Sequence, residues 1–293
     1  MAGFDQSRVE HLLEALRPER RTRVVDIGAN PLDDPPYGAL LRIGGCELWG
    51  FEPQKPAFDR LVATAGETEH YVNAAVGQGG KATLSVCATD GFTSLLEPNP
   101  EFTPFTRHFE RDLNVVERIE IETERLDGID MPQPDLIKID IQGGERDVFR
   151  HGKRVLGGAL TVITEVAAVP VYRDQPLLDE QMAELRKTGY HLHKFLFFKQ
   201  LKLRSPLGRT MHGPAARSQL LDGDAVFVRD LMGFREMKSE ALKHLAILAD
   251  AVFASYDLAA AAVDALAARG EIAAVAAQRY GALLAQQVGK GRI

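Results

Sequence analysis

Short apolar runs that alternate with helical patterns leave this chain few folds to choose from. Continuous runs lie at residues 23–28, 47–52, 70–76, 82–87, 136–141 and 160–166, with helical periods at 56–64, 145–156 and 177–187. A strand that is apolar throughout must be covered on both faces, and helices between such strands supply the cover. Two longer β patterns follow at 191–203 and 225–229 with no helix between them. The sheet is therefore expected to finish with an antiparallel strand near one edge. The expected fold class is α/β, a doubly wound, Rossmann-like sheet that is mostly parallel.

The pattern changes after residue 232. Eighteen alanines lie between Ala241 and Ala285, and no further strand appears. Leu242, Leu245, Ala249, Val252, Phe253 and Tyr256 follow helical spacing, Asp257 is placed to cap a second helix ending at Gly270, and Glu271 opens a third. This divides the chain into an N-terminal helix (1–22), a main domain (23–232) and an alanine-rich helical extension (233–293). Alanine faces permit close helix packing, either against a second copy or a protein partner, or back onto the sheet. A net charge of -6 speaks against bulk affinity for nucleic acid or anionic membranes and leaves open only a local basic patch. No stretch reaches the ~20 apolar residues of a membrane span. Cys46 and Cys87 belong to no CxxC pair, which argues against a disulfide framework or zinc cluster. The charged N-terminal segment lacks the apolar centre of a secretory signal, so the expected location is the cytoplasm.

The run ending Val25-Asp26-Ile27-Gly28-Ala29-Asn30 carries the sharpest signal. A strand closing in a glycine turn is expected to present backbone N–H groups at the sheet's carboxyl edge, where nucleotides bind. A dinucleotide fingerprint needs G-x-G-x-x-G, and here Asn30 and Asp33 stand at the second and third glycine positions. That weighs against a nicotinamide-dependent oxidoreductase. An acidic residue before the glycine suits a cofactor with an amino group and no phosphate, such as S-adenosylmethionine. Glu52, 26 residues further on at the next strand end, is placed to accept ribose hydroxyls. Taken singly, Asp26 also reads as a turn cap and Glu52 as a surface charge. Lys138, Asp140 and Gln142 alternate with isoleucines and so share one side of a strand. Charges inside a buried strand are costly unless paired or functional.

The ordered motifs V-D-I-G-A-N (25–30), G-F-E-P (50–53), N-A-A-V-G (73–77), R-L-D (125–127), L-I-K-I-D-I-Q-G-G-E (136–145) and I-T-E-V (163–166) resemble the FkbM-type methyltransferases. The resemblance covers about residues 23–230. It implies a class I methyltransferase fold, S-adenosylmethionine as cofactor, and O-methylation in glycan or natural-product pathways. By it, Asp26, Gly28 and Asn30 would line the methionine end of the cofactor, Glu52 the ribose, and Asn73 and Ala74 the adenine. Asp140 would border the reacting centre, with Lys138, Glu145 and Glu165 nearby. Two departures stand out. Ile141-Gln142 replaces a usual valine-glutamate pair, and Pro31 with the proline-rich stretch to Tyr37 replaces a glycine. That stretch reads as a rigid lid or cofactor-site loop.

The expected acceptor is a small molecule or glycan hydroxyl, oriented or deprotonated by Asp140 or Glu165. The competing reading is a structural pair of Lys138 with Asp140 or Glu165. A divalent ion such as magnesium between the two carboxylates is the weaker alternative. Thr93-Ser94 read as pocket lining or a plain turn, and Phe102, Phe105 and Phe109 as a core stripe or sugar-binding lid with Arg107 and Arg111 opposite. His191 and His193 read as satisfied or solvent-facing. Lys199, Lys202, Arg204 and Arg209 read as solvating charges, or as contacts to an anionic acceptor. A non-enzymatic rival is a catalytically silent module that works through its helical tail.

Overall fold

The computed structural model describes residues 3–31, 34–106 and 109–288. Helix α1 (Gln6–Leu16) leads into β1 (Thr22–Ile27), followed by α2 (Gly38–Arg42), β2 (Cys46–Phe51), α3 (Lys55–Thr64) and β3 (Glu69–Val72). Next come β4 (Ala75–Val76), β5 (Gly80–Cys87), α4 (Phe102–Thr106) and β6 (Val115–Glu124). The chain continues through β7 (Leu136–Ile139), α5 (Glu145–His151), α6 (Lys153–Gly158), β8 (Thr161–Ala167), α7 (Leu178–Arg186), β9 (Tyr190–Leu201) and β10 (Gln219–Arg229). It closes with α8 (Ser239–Ala251), α9 (Tyr256–Ala268) and α10 (Ala274–Val288).

Seven strands form one sheet in the order β3-β2-β1-β7-β8-β10-β9. The first five pair in parallel, and β10 runs antiparallel to both β8 and β9. The order reverses between β1 and β7, and in open α/β sheets a crevice forms at the strand carboxyl ends at such a point. A second sheet, β4-β6-β5, stands beside the first. The continuous apolar runs of the central strands β1, β7 and β8 are buried on both faces. Val24, Leu48, Leu136 and Val226 pack in one cluster with residues of α1, α8, α9 and α10. Val25, Ile137, Val162 and Phe227 pack in the other with residues of α5, α6 and α7. The alanine-rich helices thus share a core with the sheet.

Local differences from the sequence reading have local causes. The run at 70–76 divides between the two sheets because Asn73 turns the chain, its carboxamide donating to the Glu52 and Pro53 carbonyls at 2.8 and 3.0 Å. The helix expected at 145–156 breaks at Gly152, where a Cβ would lie 2.7 Å from Leu126. Strand β6 is absent from the sequence reading, since most of its residues are exposed and its four apolar side chains mark no buried run. Ser255, not Asp257, stands at the N-cap of α9, and Asp257 accepts from the Ser255 hydroxyl at 3.1 Å.

The N-terminal and C-terminal helices meet at a buried charge. Arg8 and Asp250 have fully buried side chains, joined by bonds of 2.9 Å from Nε and from Nη2. The Tyr280 hydroxyl donates to the same carboxylate at 2.6 Å, and the Tyr256 ring lies 4.7 Å from the guanidinium. This one cluster links α1, α8, α9 and α10. Arg8→Leu, which strands the Asp250 carboxylate, is expected to cost about 3–5 kcal/mol. Tyr280→Phe is expected to cost about 1–3 kcal/mol. Urea unfolding of the full chain measures both.

Candidate active site

Asp26 and Lys138 are register partners on the adjacent strands β1 and β7. The Lys138 ammonium lies 3.2 Å from Asp26 and 3.8 Å from Asp140. Burial opposes the charged ammonium, but Asp26 and Asp140 outweigh it and hold the Lys138 pKa above its usual value. Asp26 is buried, and the Tyr37 hydroxyl donates to it at 2.6 Å. Tyr37 ends the proline-rich stretch, so that stretch is anchored to the strand it follows. Its Leu32 and Asp33 lie outside the described residues. Of the two lysine pairs expected, Lys138–Asp140 is present, and Asp26 is the closer partner.

Gly28 has φ +85°, and a Cβ on it would sit 2.0 Å from the Asp140 carbonyl oxygen. Only glycine lets the β1 turn lie against the exit of β7. Its backbone donors do not face a ligand: Gly28 N–H and Ala29 N–H both bond the Phe51 carbonyl, at 2.9 and 3.1 Å. The expectation that this turn presents N–H groups to a nucleotide is thereby corrected; they fasten β1 to β2. Asn30 follows, with its side-chain oxygen buried and, among the described residues, without a hydrogen-bond partner.

A cavity of about 890 Å³ opens over these strand ends. Asp26, Gly28, Asn30, Glu52, Ala74, Lys138, Asp140 and Glu165 all line it. Asn73 does not; it is exposed and braces Glu52 from behind. Burial lifts the pKa of Glu52 to about 7, against one backbone N–H donated by Gln54 at 2.7 Å. At the far end the Gln142 carboxamide donates to Asp140 Oδ1 at 2.8 Å and to Glu165 Oε2 at 3.1 Å. Gln142 adopts φ +57°, and its own carbonyl accepts from Ser94 Oγ at 2.6 Å while Tyr172 donates toward its Oε1 at 3.2 Å. Burial, then the Asp140 charge, pushes Glu165 well above the usual carboxylate range. Glu145 lies beneath, lifted to about 7 by burial although Ile141 and Gly143 donate to it. It holds the turn into α5.

Several lining residues escaped the sequence reading. Asp222 and Asp224 enter from β10, where Asp224 pairs in register with Glu165. Burial raises Asp224 to about 6 and raises Asp222, which pairs with Lys199 at 3.4 Å. Their signal is the one that singled out Lys138 and Asp140, acids alternating with small and apolar residues. The expected strand began only at Ala225. Thr93 and Ser94 line the cavity, as does Phe197. Phe102 and Phe109 belong to a separate apolar cluster, Phe105 is 40% exposed, Arg111 is exposed, and Arg107 lies outside the described residues. His193 shares a hydrogen bond of 2.6 Å with Ser255, and His191 is exposed. Among the described residues, no group of three His, Cys, Asp or Glu side chains is arranged to hold a metal ion.

A family model described as the methyltransferase FkbM domain matches residues 26–192, more than half of the chain. The chain belongs to the FkbM methyltransferase family. Its sheet has the class I methyltransferase fold that the motifs implied. No curated protein matches it significantly. Among solved structures, an FkbM methyltransferase from Methylobacillus flagellatus KT is 13% identical, with 78% of this chain and 56% of that chain covered and a TM-score of 0.39. Magnesium protoporphyrin IX methyltransferase from Synechocystis PCC 6803, solved with bound SAM, is 11% identical, with 76% of each chain covered and a TM-score of 0.37. The family assignment rests on the sequence model alone.

The elevated Glu52 pKa ties stability to pH in this FkbM-family chain. Folding favours the protonated form, so that contribution is complete below about 4.5 and lost as pH rises through about 7. Glu52→Gln keeps an acceptor for Gln54 and removes the buried charge. At pH 8 the variant is expected to be about 1–3 kcal/mol more stable than the parent, with the gap closing near pH 4.5. Thermal unfolding at the two pH values measures it.

Proposed function

We propose that this chain transfers a methyl group from S-adenosylmethionine to a hydroxyl of a saccharide, glycan or natural-product acceptor in the cytoplasm. One observation carries the reading: in a chain of the FkbM methyltransferase family, one cavity is lined by Glu52, by the Gly28 turn and by the Gln142-bridged carboxylates Asp140 and Glu165. The residues fit such a cofactor. Glu52 offers a carboxylate to two ribose hydroxyls, and Asn30 offers a buried oxygen without a donor to an amino group.

S-adenosylmethionine supplies a methyl group on a positively charged sulfur, and that charge disappears on transfer. The chain's own part is to bind, orient and remove a proton. Asp26, already held by Lys138 and Tyr37, acts by fixing the Lys138 ammonium beside Asp140. Asp140, with Lys138 and a Gln142 N–H next to it, takes the proton of the acceptor hydroxyl. Glu165, pushed up by burial and by Asp140, retains a proton near neutral pH and donates a hydrogen bond to the acceptor. The cavity supports placing the oxygen in line with the methyl group, which does much of the catalytic work.

Asp140→Asn is expected to lower turnover about 10²–10⁴-fold with S-adenosylhomocysteine affinity intact. Labelled-methyl transfer into cell glycan and metabolite fractions reads the turnover, and unchanged transfer would remove Asp140 from the role. Because Glu52 binds ribose best when ionised, S-adenosylhomocysteine affinity is expected to rise about tenfold per pH unit up to roughly pH 7 and then level off. Calorimetric titration measures it beside NAD, and binding of NAD alone would overturn the reading.

A further inference from the structure

From the end of β9 into the start of β10 the chain sets cationic side chains beside exposed apolar ones. Residues 202–221 contain no Asp or Glu, yet carry Lys202, Arg204, Arg209 and Arg217 in a protein of net charge -6. Among the described residues no acidic side chain pairs with any of the three arginines, which are exposed. The apolar side chains between them are exposed as well: Leu207 87%, Met211 50% and Leu203 45%. The loop is a built shape rather than a slack one. Lys202 Nζ donates to the Gly208 and Met211 carbonyls at 2.9 and 3.1 Å, and the Ser205 hydroxyl accepts from Gly208 N–H at 2.9 Å. These inward bonds hold the backbone and leave Leu207 and Met211 outside. Arg204 N–H bonds the Phe105 carbonyl at 3.0 Å, which brings the half-exposed Phe105 beside the same surface.

We propose that this loop docks the protein on an anionic lipid bilayer. Aliphatic side chains standing outside an acid-free cationic loop fit a headgroup interface, where the arginines meet lipid phosphates and the apolar groups enter the acyl boundary. A nucleic-acid groove fits less well, because it needs aromatic platforms interleaved with its cations, and this loop supplies none of its own. The loop leaves β9 three residues after Lys199 and enters β10 at Gln219, three residues before Asp222, and both of those side chains line the cavity. Docking therefore brings that end of the cavity to the lipid surface. The inference stands on exposure and charge and does not depend on methyl transfer.

Co-flotation of the full chain with vesicles tests it, using phosphatidylcholine alone and phosphatidylcholine mixed with phosphatidylglycerol. The protein is expected to float with the mixed vesicles only, and less so as salt rises. Each arginine changed to glutamine is expected to weaken binding about fivefold, and Arg204→Gln/Arg209→Gln/Arg217→Gln together about a hundredfold. Leu207→Ser/Met211→Ser, which keeps every charge, is expected to weaken it too. All five positions are exposed, and an unchanged thermal midpoint confirms that each variant is folded. Failure of the parent to float with anionic vesicles overturns the proposal, as does flotation of the triple variant like the parent. Tighter binding to a single-stranded oligonucleotide than to vesicles at the same salt also overturns it.

Discussion

An ammonium group set inside a parallel sheet keeps its charge only beside a carboxylate, and Lys138 has two. Asp26 meets it across the β1–β7 boundary at 3.2 Å, and Asp140 approaches from the end of its own strand. Much of the site follows from this pair. It joins the two central strands where the sheet order reverses, and it occupies the aspartate that would otherwise stand open to the cavity. It also engages the anchor for the proline-rich segment, since Tyr37 donates to the same carboxylate. The Gly28 turn completes the junction, because no other residue fits between β1 and the Asp140 carbonyl.

The antiparallel end of the sheet gives the cavity a different character. Strand β10 enters from the opposite direction, so its first residues reach the carboxyl ends of the parallel strands and place Asp222 and Asp224 near Glu165. Burial first, and the neighbouring carboxylates after it, make Glu165 and Asp224 harder to ionise, so both sit above their ordinary range. Gln142 relieves part of that crowding with a neutral donor to both Asp140 and Glu165. The same hairpin geometry throws the cationic loop beyond the sheet on the cavity side.

The sheet and many of its strands were legible because a two-face burial leaves an unbroken apolar record, as at Val24, Val25 and Ile137. Asp26, Glu52, Lys138, Asp140 and Glu165 were legible because polar residues at the ends of such runs need a reason. Strand β6 was not legible, since exposure on both sides leaves Glu117, Arg118 and Glu120 among its apolar residues. Asn73 carried a motif that pointed to the cavity, yet its side chain serves the neighbouring backbone. Asp222 and Asp224 were missed because Gly223 interrupts the pattern ahead of Ala225.

By itself the sequence determined the α/β class, the antiparallel strand near one edge, the helical tail and the strand ends from which the site is built. Those features depend on periodicity and on single residues that only one local conformation tolerates. Tertiary structure decided what each polar group faces. Partnership across strands depends on register and strand direction: Asp26 is a partner of Lys138, the Gly28 N–H groups serve Phe51, and Asp224 lies opposite Glu165. It also decided that the alanine-rich helices share a core with the sheet, because an alanine face packs equally well in several places until the buried Arg8–Asp250–Tyr280 cluster selects one.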